Sequence, residues 1–502
     1  MIYPSFDEFT RLSRTAAMVP VALEMTGDLE TPISLFLKLG RGKNSYILES
    51  VEGGKHWARY SYIGRNPFLI ITAKDNVVTI VNRHTNTTTQ RQGDTLEIIR
   101  EIMAEYTAAK IEGLPDFPGG AVGYFAYDAA RSFYKVSSAA ADQPDPLGMP
   151  HIHLLVTDEV VVYDHVKQRI IVIVNVPGAA NPEANYRRAA ARLREVQEEI
   201  INANVGSQKC AFADDQCLVV DSESNWSFST ESRESFIKKV SEVKKLIEAG
   251  EVHQIVLSQR FTLPAVVDPF HAYRVLRSLN PSPYLFYINF GEYQLVGASP
   301  ELLVKVTDSL VETCPIAGTR PRGRTAAEDQ EYAEELLRDE KEAAEHLMLV
   351  DLGRDDIGKV AELGTVEVRD FMRVEKYSHV MHLVTTVAGR LRKDATMYDA
   401  LKACLPAGTV SGAPKARAME IIAELEKEKR GVYAGAVGCL GFNGNLDLCI
   451  AIRTIVFKDK LAFAQAGAGI VMDSDPEKEY EETLRKAKAL LESIQPVEVN
   501  PA

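Results

Sequence analysis

Two glutamate pairs with i, i+3 spacing are the residues of this chain best placed to do chemistry: Glu342 and Glu345 in KEAAEHLMLVDLGRDDIG, and Glu479 and Glu482 in DPEKEYEETLRKA. Both segments read as helices, so each pair projects two carboxylates from one helical face. If folding brings the two faces together, four carboxylates meet. Unit charges about 4 Å apart repel by roughly 1 kcal/mol in water and about 4 kcal/mol in a protein cleft, so such a cluster calls for a cation. With oxygen ligands only, and no Cys or His at metal-ligand spacing nearby, the expected ion is Mg²⁺ before Ca²⁺, and either before Zn²⁺. The competing reading is that these side chains simply solvate two surface helices.

Four other places carry groups that could meet an anion or a reacting ring. CPIAGTRPRGR (314–324) sets Gly318 and Thr319 beside Arg320, Arg322 and Arg324. A Gly–Thr turn offers a backbone N–H and a hydroxyl to a carboxylate, although an exposed basic loop would look the same. In FAQAGAGIVMDSDPEKE, Gly467, Ala468 and Gly469 follow a strand and could present successive amides to an anion; no Walker A or G-x-G-x-x-G pattern accompanies them. Arg453 ends the apolar run LDLCIAIR, where a buried strand would deliver a guanidinium into a cleft, or into an ion pair with a helix Glu. His382 lies in the apolar, strand-like KYSHVMHLVTTV and reads as either a satisfied core histidine or an active imidazole.

These residues need a large scaffold, and the chain supplies one. Its 502 residues suffice for one very large core or two to three ordinary ones, and 46% hydrophobic with 25% charged residues is ordinary for a globular enzyme. A net charge of −13 and the absence of a basic stripe argue against nucleic acid. No apolar run approaches membrane-spanning length, and MIYPSFDEFTRLSRTAAMVP lacks a signal-peptide core. The six Cys (210, 217, 314, 404, 439, 449) show no CxxC, which predicts free thiols in a reducing cytoplasm.

Between Ile33 and Val176 the pattern is mostly β-branched and strand-like (NSYILESV, ARYSYIGRNPFLIITA, NVVTIVN, RIIVIVNV), broken by one helix, TLEIIREIMAEYTAA. A charged helix, PEANYRRAAARLREVQEEIINA, follows. NVGSQKCAFADDQCLVVDSESNWS then marks the best boundary, dividing the chain into regions 1–224 and 225–502. From Ser229 to Ser493 long amphipathic helices alternate with Gly-rich strands. GGAVGYFAYD (119–128) is echoed by AGAVGCLGFNGNLD (434–447), as a duplicated strand pair or by chance likeness of small-residue strands.

In order along the chain, ILES, PIAGTRPRGR, EAAEHLMLVDLGRDDIG, KYSHVMHLV, GTVSGAPKARAMEII, YAGAVG, CIAIRT and QAGAGIVMDSDPEKEYEET through Lys486 resemble the chorismate-binding enzymes, and most closely the aminase subunits of anthranilate synthases. The fold this resemblance implies is α+β: two large, roughly orthogonal antiparallel sheets flanked by helices, with both halves of the sequence contributing strands. Isochorismate and salicylate synthases of the family carry a Lys in a KxVLAR-like strand that activates water. Gln254 of HQIVLSQRF stands in that place, and an amide cannot deprotonate water. Aminodeoxychorismate synthases resemble PIKGT, with a nucleophilic Lys where this chain has Ala317. Both differences point to amination by ammonia at the ring carbon next to the carboxylate-bearing one, which fits an anthranilate synthase.

The resemblance implies Mg²⁺ held by Glu345 and Glu482, with Glu342 and Glu479 nearby or acting through water, and Lys486 as a second anchor for the ring carboxylate. Tyr433, Arg453 and the Gly467–Ala468–Gly469 amides would hold the enolpyruvyl carboxylate, with Gly318 and Thr319 also binding substrate. Glu342 would donate the proton to the departing hydroxyl, and His382 and Thr409 would line the reacting face, His382 orienting substrate or shuttling protons. No Cys sits on a G-x-C-x-G elbow, Cys439 in VGCLGFNG coming nearest. Glutamine would therefore serve only through a separate amidotransferase subunit. ILES (Leu48, Glu49, Ser50) and NPSPYLF (Asn280, Pro283, Tyr284, Leu285) resemble the family's tryptophan feedback site, with Leu285 where Met is frequent. Two rivals remain: an aminodeoxyisochorismate synthase that aminates and stops, and a catalytically dead tryptophan-sensing subunit.

Overall fold

The computed structural model describes residues 2–40, 42–50, 59–134, 143–178, 181–203, 229–377 and 380–495. The proposed boundary segment, with Cys210 and Cys217, lies outside them. Two antiparallel sheets form the centre, and each draws strands from both halves of the chain. The first runs Ile2–Tyr3, Met18–Thr26, Arg169–Pro177, Glu159–Asp164, Tyr60–Gly64, Ser45–Glu49, Tyr284–Asn289, Tyr293–Ser299, Thr454–Lys458, Leu461–Ile470, Gln254–Pro264, Gly412–Ala413. The second runs Ile316–Pro321, Val380–Arg390, Leu310–Thr313, Leu302–Thr307, Leu446–Ile450, Ala436–Gly441, Gly120–Phe125, Ile152–Thr157, Leu69–Lys74, Val77–Asn82, Thr87–Gln92, with Glu367–Lys376 also paired to Val380–Arg390.

Period-two patterning explains the layering. In RIIVIVNVP (Arg169–Pro177), Ile170, Val172, Val174 and Val176 enter a core shared with helices, while Ile171 and Ile173 enter a core between the sheets. The middle core is built by both inner faces: Tyr46, Val160, Phe286 and Leu295 from one sheet meet Tyr124, Leu155, Val437 and Cys449 from the other. Outside the first sheet pack helices Pro32–Leu39, Pro182–Asn202, Pro269–Leu279 and Pro476–Ser493. Outside the second pack Thr95–Ala104, Glu340–Gly358 and Met397–Cys404. Pro182–Asn202 shows why charged helices belong here: it buries only Ala189, Leu193, Val196 and Ile200, one stripe at helical spacing.

The echoed segments are neighbours, Gly120–Phe125 pairing antiparallel with Ala436–Gly441. Their glycines face backbone at close range. A Cβ on Gly438 would stand 2.1 Å from the Asp447 carbonyl oxygen, and one on Gly123 1.9 Å from that of His153.

Candidate active site

The two acid helices pack on different sheets, and the charge of Glu482 on one reaches Glu345 on the other. Asp339 caps Glu340–Gly358 by accepting from the Lys341 and Glu342 amides at 3.0 and 3.1 Å, and Asp475 caps Pro476–Ser493 through Glu477 and Lys478 at the same distances. Glu342, Glu345, Glu479 and Glu482 are half-buried, whereas Glu340, Glu477 and Glu481 on the same helices are exposed. Burial and then the charges of Glu342 and Glu482 raise the pKa of Glu345. Burial also raises that of Glu479, opposed by a Ser474 hydrogen bond and reinforced by Glu482. Glu345 therefore feels Glu482 across the two helices, and each has a second acid beside it on its own helix.

As the side chains stand, Glu482 pairs with Lys486 at 2.6 Å and Glu342 with Arg320 at 3.3 Å. Among the described residues, no group of three or more His, Cys, Asp or Glu side chains is gathered tightly enough to hold a metal ion. The donor set is nonetheless oxygen-only, and two of its acids are destabilised by neighbouring charge, which suits a hard divalent cation once those pairs open.

Lys486 ties this cluster to the adjoining strand. Its Nζ donates to the Gly467 carbonyl at 3.0 Å, and its own carbonyl accepts from Arg453 Nη1. Arg453 sits in the turn after Leu446–Ile450 at φ +51°, not at the strand end as expected, and burial lowers its pKa against the pull of Tyr433 and Glu482. Gly467, Ala468 and Gly469 are likewise inside a strand, opposite Ser258, Leu257 and Val256. Because the Gly467 carbonyl faces Lys486, away from that partner strand, the Gly467 and Gly469 amides share the open side and the Ala468 amide turns inward. The expectation of three successive amides reduces to two alternate ones. Tyr433 closes this end: a Cβ on Gly467 would stand 2.7 Å from its hydroxyl, which burial keeps protonated by pushing its pKa up to about 12.

On the other side of the acids, Gly318 is the extra residue of a β-bulge, at φ +65°. The bulge sets Thr319 opposite His382, whose Nδ1 lies 2.9 Å from the Gly318 carbonyl and 3.1 Å from Thr319 Oγ1. The carbonyl can only accept, so Nδ1 carries the proton and Nε2 is left as an acceptor. Burial, opposed by that bond, lowers the imidazole pKa and keeps His382 neutral. A Cβ on Gly318 would come 3.3 Å from Glu342 Oε2, so bulge, histidine and acid helix are contiguous. Gln254, buried on the strand facing Gly469, has an amide oxygen with no hydrogen-bond partner.

A family model for chorismate binding enzymes matches residues 45–492. The chain belongs to the chorismate-binding enzymes. It is 49% identical over 497 residues to anthranilate synthase component 1 of Acetivibrio thermocellus, covering 99% of each chain, and 45% identical over 497 residues to that of Aquifex aeolicus, covering 98% of this chain and 97% of the other. The crystal structure of anthranilate synthase component I from Streptococcus pneumoniae superposes with a TM-score of 0.73 at 38% identity, covering 93% of this chain and 98% of that one.

One acid of this chorismate-binding enzyme escaped the sequence reading. Glu301, 8% exposed, sits just before the strand Leu302–Thr307 and shares a small cleft with Thr409, Gly408 and Gly353. Burial pushes its pKa up to about 7, with the Thr409 hydroxyl and Lys486 opposing. The proton-donor role expected of Glu342 is one that Glu301 is also placed to take, and the Glu342 carboxylate pairs with Arg320 at 3.3 Å. The only signal in the sequence is one acid between two apolar strands.

The segments likened to a feedback site are paired strands, Leu285 opposite Glu49 and Phe286 opposite Leu48. Leu48, Glu49, Ser50, Pro283, Tyr284 and Leu285 line a cavity of about 450 Å³ between the sheets. Tyr60, Tyr62 and Phe117 bring aromatic rings to it, and the Ser50 hydroxyl is buried there without a partner. Glu49 is anchored by Tyr273 and Arg277, and Tyr284 donates to Asp447 at 3.0 Å. Asn280 is not among the lining residues; its amide bonds Ser282 and the Ala298 carbonyl. Cys314, Cys404, Cys439 and Cys449 are free thiols. Cys439 lies buried in a strand and not on an elbow, and burial raises its pKa far from that of a nucleophile. No helix among the described residues is long and apolar enough to cross a membrane.

Proposed function

We propose that this enzyme is the aminase subunit of an anthranilate synthase: it converts chorismate and ammonia to anthranilate and pyruvate, and tryptophan inhibits it. The observation that carries this reading is the coupling of Glu345 to Glu482 across two sequence-remote helices, with Glu342 and Glu479 beside them, next to an anion cradle made by Lys486, Arg453, Tyr433 and the Gly467 and Gly469 amides. Glu345 and Glu482 would hold Mg²⁺, with Glu342 and Glu479 alongside, and the ion would supply a positive partner for the ring carboxylate. Arg453, Tyr433 and the two amides orient the enolpyruvyl carboxylate, with Gly318 and Thr319 flanking the ring.

The unpartnered Gln254 oxygen can accept an N–H of ammonia, while its lack of basicity leaves water unactivated. Ammonia then adds to the ring carbon next to the carboxylate-bearing one, both ring double bonds shift along the ring as the bond from C4 to its hydroxyl breaks, and the added nitrogen releases its extra proton to solvent. Glu301, poised near neutrality, protonates that hydroxyl so that it leaves as water. Neutral His382, with Nε2 open, is placed to take the ring proton as the enolpyruvyl group leaves as pyruvate and the ring becomes aromatic. Free ammonia suffices in vitro; glutamine requires a separate amidotransferase subunit, since none of the described Cys is an activated nucleophile. The 450 Å³ cavity, rimmed with aromatic rings and an open Ser50 hydroxyl, is the slot for tryptophan.

The test is anthranilate fluorescence from chorismate and ammonium, with Mg²⁺, after chelation, and with added tryptophan. Formation that stops on chelation and returns with Mg²⁺ supports the reading. An accumulating aminated diene without anthranilate would replace it with an aminodeoxyisochorismate synthase. No turnover at all, with tryptophan still bound, would leave only the sensing subunit.

A further inference from the structure

Behind the anion cradle lies a buried charge pair that the proposed chemistry does not use. Arg430, 2% exposed, makes four hydrogen bonds: Nε and Nη2 to the Glu426 carboxylate at 2.8 and 2.6 Å, Nη1 to the Val410 carbonyl and Nη2 to the Val256 carbonyl, each at 2.7 Å. Its guanidinium also stands over the Tyr127 ring at 4.8 Å and the Tyr433 ring at 5.6 Å. Glu426 in turn accepts from the Ser258 amide and hydroxyl at 2.9 and 2.8 Å, and Ser258 is the cross-strand partner of Gly467.

One ion pair thus grips three pieces of the substrate site. Val410 is the residue after Thr409, Tyr433 faces Gly467, and Ser258 fixes the strand that Gly467 lies on. A planar fork with donors in fixed directions can hold two carbonyls and a carboxylate together, whereas an ammonium on a flexible stem cannot. A pair buried this deeply is weak evidence for stability, because well-packed apolar replacements are often as stable.

We propose that Arg430, braced by Glu426, is a positioning residue that holds Tyr433 and the Thr409 turn in register with the Gly467 strand for binding of the substrate's enolpyruvyl carboxylate. This rests on the functional reading above. Replacing both partners, Glu426→Gln with Arg430→Met, leaves no unpaired buried charge but takes the donors from the Val410 and Val256 carbonyls, so the circular dichroism spectrum should be preserved with a lowered melting temperature. It should raise KM for chorismate about tenfold or more, the cost of one misplaced hydrogen bond to an ionised carboxylate.

The discriminating measurement is a cycle with Tyr433→Phe. In the wild-type background that change raises KM; in the Glu426→Gln/Arg430→Met background it adds less than about twofold, because the hydroxyl is already out of place. Arg430→Lys, which keeps the charge and loses the fork, should also raise KM and serves if the double replacement does not fold. Wild-type KM in whichever of these two variants folds, or full additivity with Tyr433→Phe, would overturn the proposal. A wild-type enzyme that makes no anthranilate would instead sink the functional reading beneath it.

Discussion

Glu301→Gln removes a titratable proton from a side chain that is 8% exposed and changes its shape hardly at all. Burial pushes this carboxyl from its ordinary 4.5 up to about 7. Each pKa unit corresponds to about 1.4 kcal/mol, so ionising Glu301 costs roughly 3 kcal/mol more in the folded protein than in the unfolded chain. The folded-state value is the higher one, so between pH 4.5 and about 7 the folded protein holds the proton that the unfolded chain has released. Its stability therefore falls as pH rises through that interval, and above it the whole penalty applies. Glutamine carries no such penalty.

The variant should match wild type in stability near the acid end of that interval and exceed it by roughly 3 kcal/mol at pH 8, read from urea unfolding at several pH values. Activity should move the opposite way. Without a proton for the departing hydroxyl, kcat falls by about 10²–10⁴ while KM for chorismate changes little, and the alkaline limb of the pH–rate profile disappears. A stability difference that is flat across pH would refute the burial argument, and kcat within tenfold of wild type would refute the acid assignment.

Ser50→Phe fills the cavity between the sheets, so anthranilate formation should persist at tryptophan concentrations that silence the wild type; unchanged sensitivity would remove tryptophan from that cavity. Gly318→Ala forces a side chain onto a residue at φ +65° and within 3.0 Å of Leu336 Cδ1. It should cost about 1 kcal/mol of stability and, by shifting the carbonyl that fixes His382, lower kcat more than it raises KM. Glu345→Gln and Glu482→Gln should each raise the Mg²⁺ concentration for half-maximal rate by about tenfold or more, measured by titrating metal into the chelated enzyme; an unchanged titration would clear those residues of metal binding. The purified chain should make anthranilate from ammonium and none from glutamine.

Much of the scaffold was legible because burial imposes periodicity. RIIVIVNVP reads as a strand covered on both faces, and the Pro182–Asn202 helix shows its stripe in the residues themselves. What composition and spacing could not supply is which strands become neighbours. The pairing of Leu285 with Glu49 joins residues from opposite halves of the chain, and it is this pairing that closes the cavity. The Gly467–Gly469 run misled for a related reason. Glycines after a strand suggest a loop, whereas here they continue the strand so that Tyr433 and neighbouring backbone can approach.

Within the site, legibility followed the source of each residue's chemistry. The helix acids were visible because i, i+3 spacing is a local property, and their coupling across helices followed from the resemblance. Glu301 was not visible, since a glutamate becomes a proton donor only through what surrounds it. In the sequence it is one carboxylate among many; in the fold it is enclosed by the Thr409 turn and lifted to about 7. Arg430 was hidden for the same reason, one cation directly after the Glu–Lys run at 426–429 until its neighbours are known. Where folding energy is spent on holding an ionisable group against its solvation preference, the residue type names the group and the burial names the function. That asymmetry makes the Glu301→Gln stability profile the sharper measurement: it reads the burial directly, with no substrate, metal or partner in the tube.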